Sequence, residues 1–293
     1  MKEPLDISIV VLNYNTSDLL LGALESIVSG TSGVSYEVVV IDNASADGGF
    51  AHARTKLGED PRFTFIQRET NIGWAAINIM LERKGKYIAT VDPDAIVHKG
   101  ALETLFSFLE SHPKAGAVVA KLLNPDGSPQ LYYRRIMTPS FYFFTTVLGR
   151  GIDKYLLGLA RWRQYRYEGE ALLATTEIEQ PAWPTLMWRR EALGAYIVDK
   201  GIPFYFVDVD MSRRVYDKGY KIYLEPKATI THLKSASFGR TKNAWREREY
   251  GRSLKFYFKK HYPAFVPVLF VLAALDICMR ALVRRVAGRE PLR

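Results

Sequence analysis

Apolar runs and amphipathic stretches alternate over the first 120 residues of the chain. Four runs rich in β-branched and aromatic residues are typical of buried strands: 7–13, 36–45, 62–68 and 86–94. The stretch 17–30 has apolar positions at helical spacing and closes on Gly30, and two further helices are predicted at 48–58 and 73–85. Strands that alternate with helices predict an α/β fold whose parallel strands are covered on both faces.

Polar side chains follow three of these strands at the points where they end. They are Asn13 at the end of the first run and Asn15 just beyond it, Asp42 after the apolar part of the second run, and Asp92 and Asp94 after the apolar part of the fourth. In open α/β sheets, ligands bind at the carboxyl ends of the strands, so these side chains are expected to line a binding site. The glycine pattern of dinucleotide-binding folds follows none of the strands, which argues against an NAD-type enzyme.

The pattern changes in the second half of the chain. Residues 125–182 are weakly periodic and dense in basic and aromatic residues, and the α/β pattern resumes over 184–232. From Ala264 onward an amphipathic helix is predicted, with Pro263 and Pro267 at its entry and with Asp276, Arg280 and Arg284 on a polar face. Its apolar positions recur at spacings of four and three: Val268, Leu272, Leu275, Met279, Leu282 and Val286.

Charge and cysteine content narrow the choice of partner and compartment. The net charge of +9 favours an anionic partner: a nucleic acid, a phosphorylated substrate or an acidic membrane. The one cysteine, Cys278, excludes an intramolecular disulfide. The first ten residues do not resemble a signal peptide, and the longest apolar run, 264–275, is shorter than the ~18 residues of a spanning helix. A cytosolic or membrane-surface protein is predicted.

Asp92 and Asp94 allow two interpretations. Two carboxylates at i and i+2 after a buried strand can bind one divalent cation, and Mg²⁺ or Mn²⁺ prefers such oxygen ligands. Asp-Pro-Asp is also common turn chemistry, which needs no metal.

At three further sites the sequence is consistent with a chemical role and with a purely structural one. Asp208 follows the apolar residues 204–207, so a desolvated carboxylate could serve as a general base, whereas Asp210 is explained by a surface ion pair with Arg214. His232, after a later strand, is a metal ligand or a structural histidine. For Arg134 and Arg135 the two interpretations are a pair of guanidinium groups that bind a diphosphate and a pair of solvated loop residues.

A set of motifs in order along residues 5–262 resembles the inverting glycosyltransferases of family 2, and more narrowly the bacterial rhamnosyltransferases that use dTDP-sugars. The motifs are VVLNYN, EVVVIDNASADGG, TNIGWAAINIM, VDPDA, KLLNPDGSPQLYYRR, FYFVDVDMSRRVYDKGYKIY, TITHLKSAS and RSLKFYFKKHYP. The resemblance implies a GT-A fold, a Rossmann-like mixed sheet flanked by helices. It also implies metal-dependent, single-displacement transfer from a nucleotide-diphosphate sugar.

The resemblance assigns a role to each candidate residue. The nucleotide-sugar is expected at Asn13, Asn15, Asp42, Asn71, Gly73 and Asp92. Asp92 and Asp94 match the DxD position, His232 matches a third contact to Mg²⁺ or Mn²⁺, and Asp208 matches the catalytic base. Arg134 and Arg135 match a basic pair of the subgroup, which is expected at the diphosphate of donor or acceptor.

Three positions depart from the family pattern. Many relatives have Asn where Asp92 stands, which makes Asp94 the expected primary ligand. Val207 occupies a position that is often polar, so Asp208 remains the one candidate base there. Trp183 lies in a segment, PAWPTLMWRR, where many relatives have small residues, and is expected to reshape the acceptor pocket.

The same resemblance divides the chain. Residues 1–262 are expected to form the glycosyltransferase domain, with 1–122 binding the nucleotide-sugar and 123–262 the acceptor. Residues 263–293 are expected to form a basic, amphipathic appendage.

The predicted substrates are a dTDP-sugar, with rhamnose expected, and a glycan or polyprenyl-diphosphate-linked sugar of cell-envelope polysaccharide. The appendage is expected to bind the inner face of the plasma membrane, the alternatives being its own domain or a second copy in a homodimer. Two other functions fit the residues less well. A nucleotidyltransferase lacks its Gly-rich basic loop here, and a nucleic-acid-binding module does not explain acidic residues at strand ends.

Overall fold

The strands and helices follow the predicted alternation. The computed structural model describes residues 5–161, 163–167, 169–181, 183–202, 204–233 and 243–286. The end of the TITHLKSAS motif, the basic stretch up to 242 and residues 287–293 of the predicted appendage lie outside the described residues.

The strands are β1 Ile7–Asn13, β2 Tyr36–Asp42, β3 Phe63–Gln67, β4 Tyr87–Val91, β5 Ala95–Val97, β6 Ala115–Leu123, β7 Thr176–Glu177, β8 Thr185–Arg189 and β9 Lys221–His232. The α-helices are α1 Ser17–Gly30, α2 Gly49–Leu57, α3 Ala101–Ser111, α4 Pro139–Thr145, α5 Val147–Ile152, α6 Arg190–Leu193, α7 Val207–Asp217, α8 Asn243–His261 and α9 Val266–Val286.

Within the described residues these nine strands form one mixed sheet in the order β3-β2-β1-β4-β8-β6-β9-β5, with β7 on β9. The first four strands of that order are parallel, as their alternation with helices predicts. β8 is antiparallel to both β4 and β6, and β5 is antiparallel to β9. Because β1, β2 and β4 are parallel neighbours, their carboxyl ends share one edge of the sheet.

The third predicted helix has a different geometry from the one expected. Residues Gly73–Glu82 form a 3₁₀ helix, which begins at Gly73 with a φ of 62°. The side chain of Asn78 donates to the carbonyl of Val198 at 2.8 Å and accepts from the amide of Ile197 at 2.8 Å. Contacts with a distant loop therefore contribute to the geometry of this segment, which local spacing alone does not determine.

A second apolar cluster joins the C-terminal helices to α7. It is built from Tyr142 of α4, Val209 of α7, Tyr257 and Phe258 of α8, and Leu269 of α9, all buried. The Tyr257 hydroxyl donates to the carbonyl of Met137 at 2.9 Å. This cluster fixes α7, and therefore Asp208, against the C-terminal part of the chain.

The C-terminal helix covers nearly the predicted residues, but its apolar part is longer than the sequence estimate. The segment Pro263–Val283 is helical, long and apolar enough to cross a membrane by length and composition, and little of it is buried. The sequence estimate stopped at Leu275 because Asp276 interrupts the apolar run. Asp276 and Arg280 lie on one face, as the spacing predicts, and form an ion pair at 2.6 Å, while the Asp276 carboxylate also accepts from the Val147 amide at 2.6 Å.

Asp210 forms the centre of a buried ionic cluster rather than a surface ion pair. The predicted partner, Arg214, lies 3.0 Å away, and Lys260 and His261 of α8 each approach the same carboxylate to 2.7 Å. Burial raises the pKa of Asp210, but the hydrogen bonds from His261 and Lys260 and the charge of Arg214 outweigh it and bring the pKa to about 2. The cluster ties the helix of Asp208 to α8.

Replacing Asp210 by asparagine is expected to lower the free energy of unfolding by about 3–5 kcal/mol at neutral pH, because buried cations lose their counter-charge. Since the folded pKa lies below the ordinary value of 3.8, this stabilisation is complete above about pH 4 and is lost as the pH falls toward about 2. Denaturant unfolding at several pH values measures it. Asp217→Asn, at an exposed ion pair of the same helix, should change stability by less than about 1 kcal/mol. Equal effects of the two substitutions would contradict the prediction.

Candidate active site

The ends of β1 and β2 carry a hydrogen-bonded polar cluster. Asn13 and Asp42 are register partners on adjacent strands, both fully buried, and the Asn13 amide donates to Asp42 Oδ1 at 2.7 Å. Ser45 receives a bond from the backbone amide of Asn15 at 2.9 Å, and Asn15 Oδ1 accepts from the Ala46 amide. Asn15 adopts a φ of 53°. Three of the residues expected at the nucleotide are thus held together at one edge of the sheet.

Asn71 and Gly73 join this edge from the next segment of the chain. Asn71 Oδ1 accepts from the Gly73 amide at 2.8 Å, and the Gly73 carbonyl accepts from the buried Asn43 side chain at 3.1 Å. The left-handed backbone of Gly73 is a conformation that other residues rarely adopt. The structure thereby connects the predicted Asn71–Gly73 turn to the end of β2.

Asp92, Asp94 and His232 come together at the end of β4. Each offers one ligand atom, and these three atoms lie within 4.8 Å of one another. Antiparallel pairing of β5 with β9 places Ala95 opposite His232, and His232 Nε2 lies 3.4 Å from Asp94 Oδ1. The Asp-Pro-Asp turn also exists, because the Ala95 amide donates to the Asp92 carbonyl at 3.0 Å. The segment 92–94 therefore forms a turn and also contributes both carboxylates to the cluster with His232.

Gln130 determines which nitrogen of His232 faces the carboxylates. The Gln130 amide nitrogen donates to the carbonyl oxygens of Leu123 and His232, so its Oε1 is the atom that faces His232 Nδ1, at 2.9 Å. Nδ1 then carries a proton, so Nε2 is the nitrogen that faces Asp94, and in the neutral imidazole it presents a lone pair there. A histidine fixed in this way by a polar partner is typical of metal ligands.

The electrostatics of the cluster fit a divalent cation. Burial, then the charge of Asp94, raises the pKa of Asp92 to about 7, while His232 lowers it. Asp92 Oδ1 is buried, and no described residue forms a hydrogen bond with it. A buried, unsatisfied carboxylate oxygen beside a second carboxylate and an imidazole lone pair is a donor set suited to Mg²⁺ or Mn²⁺.

Asp208 lies in the first turn of α7 with its carboxylate held by one side chain. Gln180 Nε2 donates to Asp208 Oδ2 at 2.6 Å, and Gln180 Oε1 accepts from the Tyr165 hydroxyl at 3.3 Å. Burial raises the pKa of Asp208 above its ordinary value, although Gln180 and the charge of Arg134 both lower it. The carboxylate is thereby basic and oriented at the same time.

A cavity of about 610 Å³ extends between the end of β4 and the start of α7. Asp92, from the cluster at the end of β4, and Asp208, from α7, both line it. Trp74 and Trp183 form an aromatic wall, with ring centroids 4.9 Å apart, and Trp183 Nε1 is buried without a partner among the described residues. A molecule bound in this cavity would therefore meet the candidate cation site on one side and the Asp208 carboxylate on the other. The Trp183 indole nitrogen lies in the cavity wall as a hydrogen-bond donor.

The predicted pair Arg134 and Arg135 is divided between two environments. Backbone bonds in both directions with Gln180, at 3.0 and 2.8 Å, hold Arg134 in extended conformation, and its side chain lines the cavity. Arg135 forms a 2.9 Å ion pair with Glu179 and stacks on Tyr167 at 5.2 Å. Successive residues of an extended chain point in opposite directions, so only the first of the pair faces the site. Arg150 and Arg166 line the cavity with it.

Sequence reasoning assigned no role to Gln180 or to Gln130. Gln130 lies within the motif KLLNPDGSPQLYYRR, whereas Gln180 had no signal, because a lone glutamine in a weakly periodic segment is usually solvated. Both act through bonds to residues far along the chain, Asp208 and His232 respectively. The tyrosine behind Gln180, Tyr165, belongs to the aromatic and basic middle stretch that composition alone had singled out.

Replacing Gln180 by leucine is expected to shift the acidic limb of the pH–rate profile to higher pH. The lost hydrogen bond lowers the pKa of Asp208, so its removal raises that pKa, and a base acts only when it is ionised. The measurement is kcat/KM against pH for wild type, Gln180→Leu and the control Gln164→Leu, an exposed glutamine nearby. An unshifted profile with a uniformly lower rate would contradict this role.

Comparison with known proteins agrees with this geometry. The sequence profile of Glycosyl transferase family 2 matches residues 8–193. The chain is similar to Glycosyltransferase GlyG of Streptococcus pneumoniae, 30% identical over 48% of this chain and 44% of that protein. It is also similar to the succinoglycan biosynthesis protein ExoO of Rhizobium meliloti, 34% identical over 39% of this chain and 32% of that protein. The chain thus spans less than half the length of these two relatives.

A solved structure shows the same fold. The crystal structure of GalNAc-T7 with UDP, GalNAc and Mn²⁺ superimposes with a TM-score of 0.59, covering 87% of this chain and 48% of that chain at 14% identity. The predicted GT-A class, a mixed sheet flanked by helices with an apolar C-terminal helix, is confirmed. With the profile covering more than half of its length, the chain belongs to glycosyltransferase family 2.

Proposed function

We propose that this chain is a metal-dependent inverting glycosyltransferase of cell-envelope polysaccharide synthesis. The observation that carries the proposal is the single cavity lined by Asp92 and Asp208, since the two carboxylates have different surroundings that suit different tasks. Asp92 belongs to a cluster suited to a cation, whereas Asp208 is held by a neutral amide. The similarity to a succinoglycan biosynthesis protein supports a polysaccharide product.

Asp208 acts as the base on the acceptor. A sugar hydroxyl is a poor nucleophile until a carboxylate takes its proton as the new bond forms. The raised pKa of Asp208 strengthens it as a base, and Gln180 keeps the carboxylate in one orientation. The acceptor oxygen attacks the anomeric carbon in line with the departing nucleoside diphosphate, so one displacement inverts that carbon.

The donor binds across the ends of β1, β2 and β4. Asn13, Asn15, Asp42, Asn71 and Gly73 hold base and ribose, in the positions implied by the family resemblance. Asp92, Asp94 and His232 hold the cation, which when bound neutralises the charge that develops on the leaving diphosphate. The proposed donor is a dTDP-sugar, specifically dTDP-rhamnose.

The acceptor occupies the aromatic and basic side of the cavity. Arg134, Arg150 and Arg166 line it with Trp183, so an acceptor with a sugar and a diphosphate meets both an aromatic wall and guanidinium groups. A polyprenyl-diphosphate-linked sugar or a growing glycan is the proposed acceptor class. The protein works at the inner face of the plasma membrane.

Replacing Arg134 by alanine is expected to raise the KM for a diphosphate-linked acceptor about tenfold or more, because charge-assisted bonds to a phosphate contribute roughly 1.5–3 kcal/mol. Arg135→Ala is the matched control, since its guanidinium pairs with Glu179 away from the cavity. Initial rates at varied acceptor concentration measure both. Similar KM changes in the two variants would contradict the division between them.

A donor screen tests the proposal as a whole. The purified chain is incubated with dTDP-, UDP- and GDP-sugars and a short-chain polyprenyl-diphosphate-linked sugar, with and without Mg²⁺ or Mn²⁺. Transfer with release of a nucleoside diphosphate and an inverted anomeric configuration supports it. Release of pyrophosphate would identify a nucleotidyltransferase, and turnover of a UDP-sugar alone would overturn the rhamnose assignment.

A further inference from the structure

Two separate segments expose large apolar side chains on the C-terminal side of the molecule. The first follows α5 and presents Tyr155, Leu156, Leu157 and Leu159, of which Leu156 is 78% exposed. The second is the outward face of α9, with Phe270, Val271, Ile277 and Leu282, of which Ile277 is 69% exposed. Large side chains exposed in clusters mark interaction sites in soluble proteins.

These segments belong to one surface. α5 packs against α9, and the Asp276 carboxylate of α9 accepts from the Val147 amide at the start of α5 at 2.6 Å. α9 in turn is seated on the protein through Leu269, which is buried in the cluster of Tyr142 and Phe258. We propose that the two segments together form a docking surface for an anionic lipid bilayer, with α9 lying along the interface.

The first segment has a defined shape that holds its leucines outward. Asp153 is buried, and its two carboxylate oxygens accept from the Leu159 amide at 3.1 Å and the Arg161 amide at 2.6 Å. Its carbonyl accepts from the Gly158 amide at 2.7 Å, where the backbone turns with a φ of 64°. Leu156 and Leu157 lie at the tip of this closed turn.

The charged residues near the two segments indicate an anionic bilayer as the partner. Residues 147–161 and 263–283 contain two carboxylates, Asp153 and Asp276, and both are used inside the protein, so neither opposes an anionic surface. The cations lie at the exposed aromatic rings instead. Lys154 Nζ lies 4.8 Å from the centre of the Tyr155 ring, and Lys255 Nζ lies 5.1 Å from that of Phe270. Apolar side chains rimmed by cations and aromatics match the boundary between lipid headgroups and acyl chains.

The packing of α9 favours a helix that lies on the bilayer over one that crosses it. A crossing helix would have to leave the protein, which would expose Leu269 and separate Asp276 from the Val147 amide. It would also place the Asp276 carboxylate in hydrocarbon, which is costly. Lying flat, α9 keeps both contacts and immerses only its outward face.

The surface also adjoins the cavity. Arg150 of α5 lines the cavity, and the turn of Leu156 follows directly after that helix. An acceptor whose lipid stays in the membrane would therefore reach the cavity beside α5, a consequence that rests on the proposed function. The docking surface itself does not depend on it.

Vesicle binding of the full chain tests the inference. Cys278, the sole cysteine and exposed on α9, is labelled with an environment-sensitive fluorophore, and partition is measured on phosphatidylcholine vesicles with and without phosphatidylglycerol. We expect the protein to partition more strongly onto vesicles that contain the anionic lipid, with a blue shift of the fluorophore emission. Quenchers attached at a shallow depth in the lipid should reduce this emission more than deep ones, because α9 lies at the interface. Leu156→Glu and Ile277→Glu should each lower the partition coefficient about tenfold or more, because each removes one apolar side chain from lipid.

The control is Leu173→Glu, at a leucine 71% exposed beside β7 and outside both segments, which should bind as wild type does. Thermal unfolding and nucleotide binding show that each variant is folded and keep this test separate from catalysis. Absent vesicle binding, or equal losses in Leu173→Glu, would overturn the proposal. Loss of binding in Ile277→Glu but not in Leu156→Glu would also overturn it, because only one of the two segments would then contact lipid. Stronger quenching by deep than by shallow quenchers would indicate a spanning helix. A dimer that Ile277→Glu dissociates, without any vesicle binding, would indicate a second copy as the partner.

Discussion

Replacing Asp208 by asparagine is expected to lower kcat for sugar transfer by roughly 10²–10⁴-fold, the range that a positioned general base contributes. Asparagine keeps the shape of the side chain but cannot take the proton of the acceptor hydroxyl. The proposed donor site lies across the ends of β1, β2 and β4, so the affinity for the nucleotide-sugar should stay near that of wild type. Initial rates and calorimetric titration with the donor measure the two effects separately.

The control for this substitution is Asp217→Asn, at the other end of the same helix, where the carboxylate is exposed and pairs with Arg213. It should leave kcat within about twofold of wild type, because an exposed pair contributes little. A tenfold or greater loss of donor affinity in Asp208→Asn would place this residue at the donor instead. Unchanged kcat would remove it from the mechanism.

Replacing Asp94 by alanine is the second large effect expected. Asp94 is buried beside His232, and its loss should weaken Mn²⁺ binding and lower kcat by roughly 10²–10³-fold, as removal of one preorganised electrostatic stabiliser does. Mn²⁺ binding is followed by electron paramagnetic resonance without substrate, so the metal site is tested apart from turnover. Rates are then measured against metal concentration.

The chain supplies a close control in its second Pro-Asp turn. Asp126 follows Asn124 and Pro125 much as Asp94 follows Asp92 and Pro93, but it is exposed and accepts from the Ser128 amide at 2.9 Å. Asp126→Ala should bind Mn²⁺ normally. If Asp94→Ala also binds Mn²⁺ normally, the Asp-Pro-Asp segment is only a turn, and the metal assignment fails.

Local sequence patterns were sufficient for the donor side of the sheet. Asn13 and Asp42 end their strands and Asp92 directly follows its strand, so strand prediction and the strand-end rule place them at one edge without long-range information. His232 is different, because strand pairing between β5 and β9 brings it to Asp94. Its place after an apolar strand allowed that meeting, and the family resemblance indicated it.

The acceptor side depended on contacts that no local pattern contains. Gln180 acts because a backbone bridge aligns it with Arg134 and a distant helix brings Asp208 to its amide. Helical spacing predicted the pair of Asp210 with Arg214, but its burial comes from α8, which carries Lys260. The spacing of α9 predicted that Asp276 and Arg280 share one face, where they pair, but the bond from the Val147 amide to Asp276 depends on α5, which no local pattern places beside α9.

The anchoring of Asp210 also determines how the chain can be divided for protein engineering. The family profile ends at residue 193, yet the proposed base lies on α7, and the side chains that secure this helix come from the end of α8. A minimal fragment cut at the profile boundary would lose the proposed base, and with β9 it would also lose His232 of the proposed cation site. In chimeras between relatives, the exchangeable acceptor module should therefore run without interruption from residue 123 through His261, so that α7 is transferred together with Gln180 and with the residues of α8 that hold Asp210.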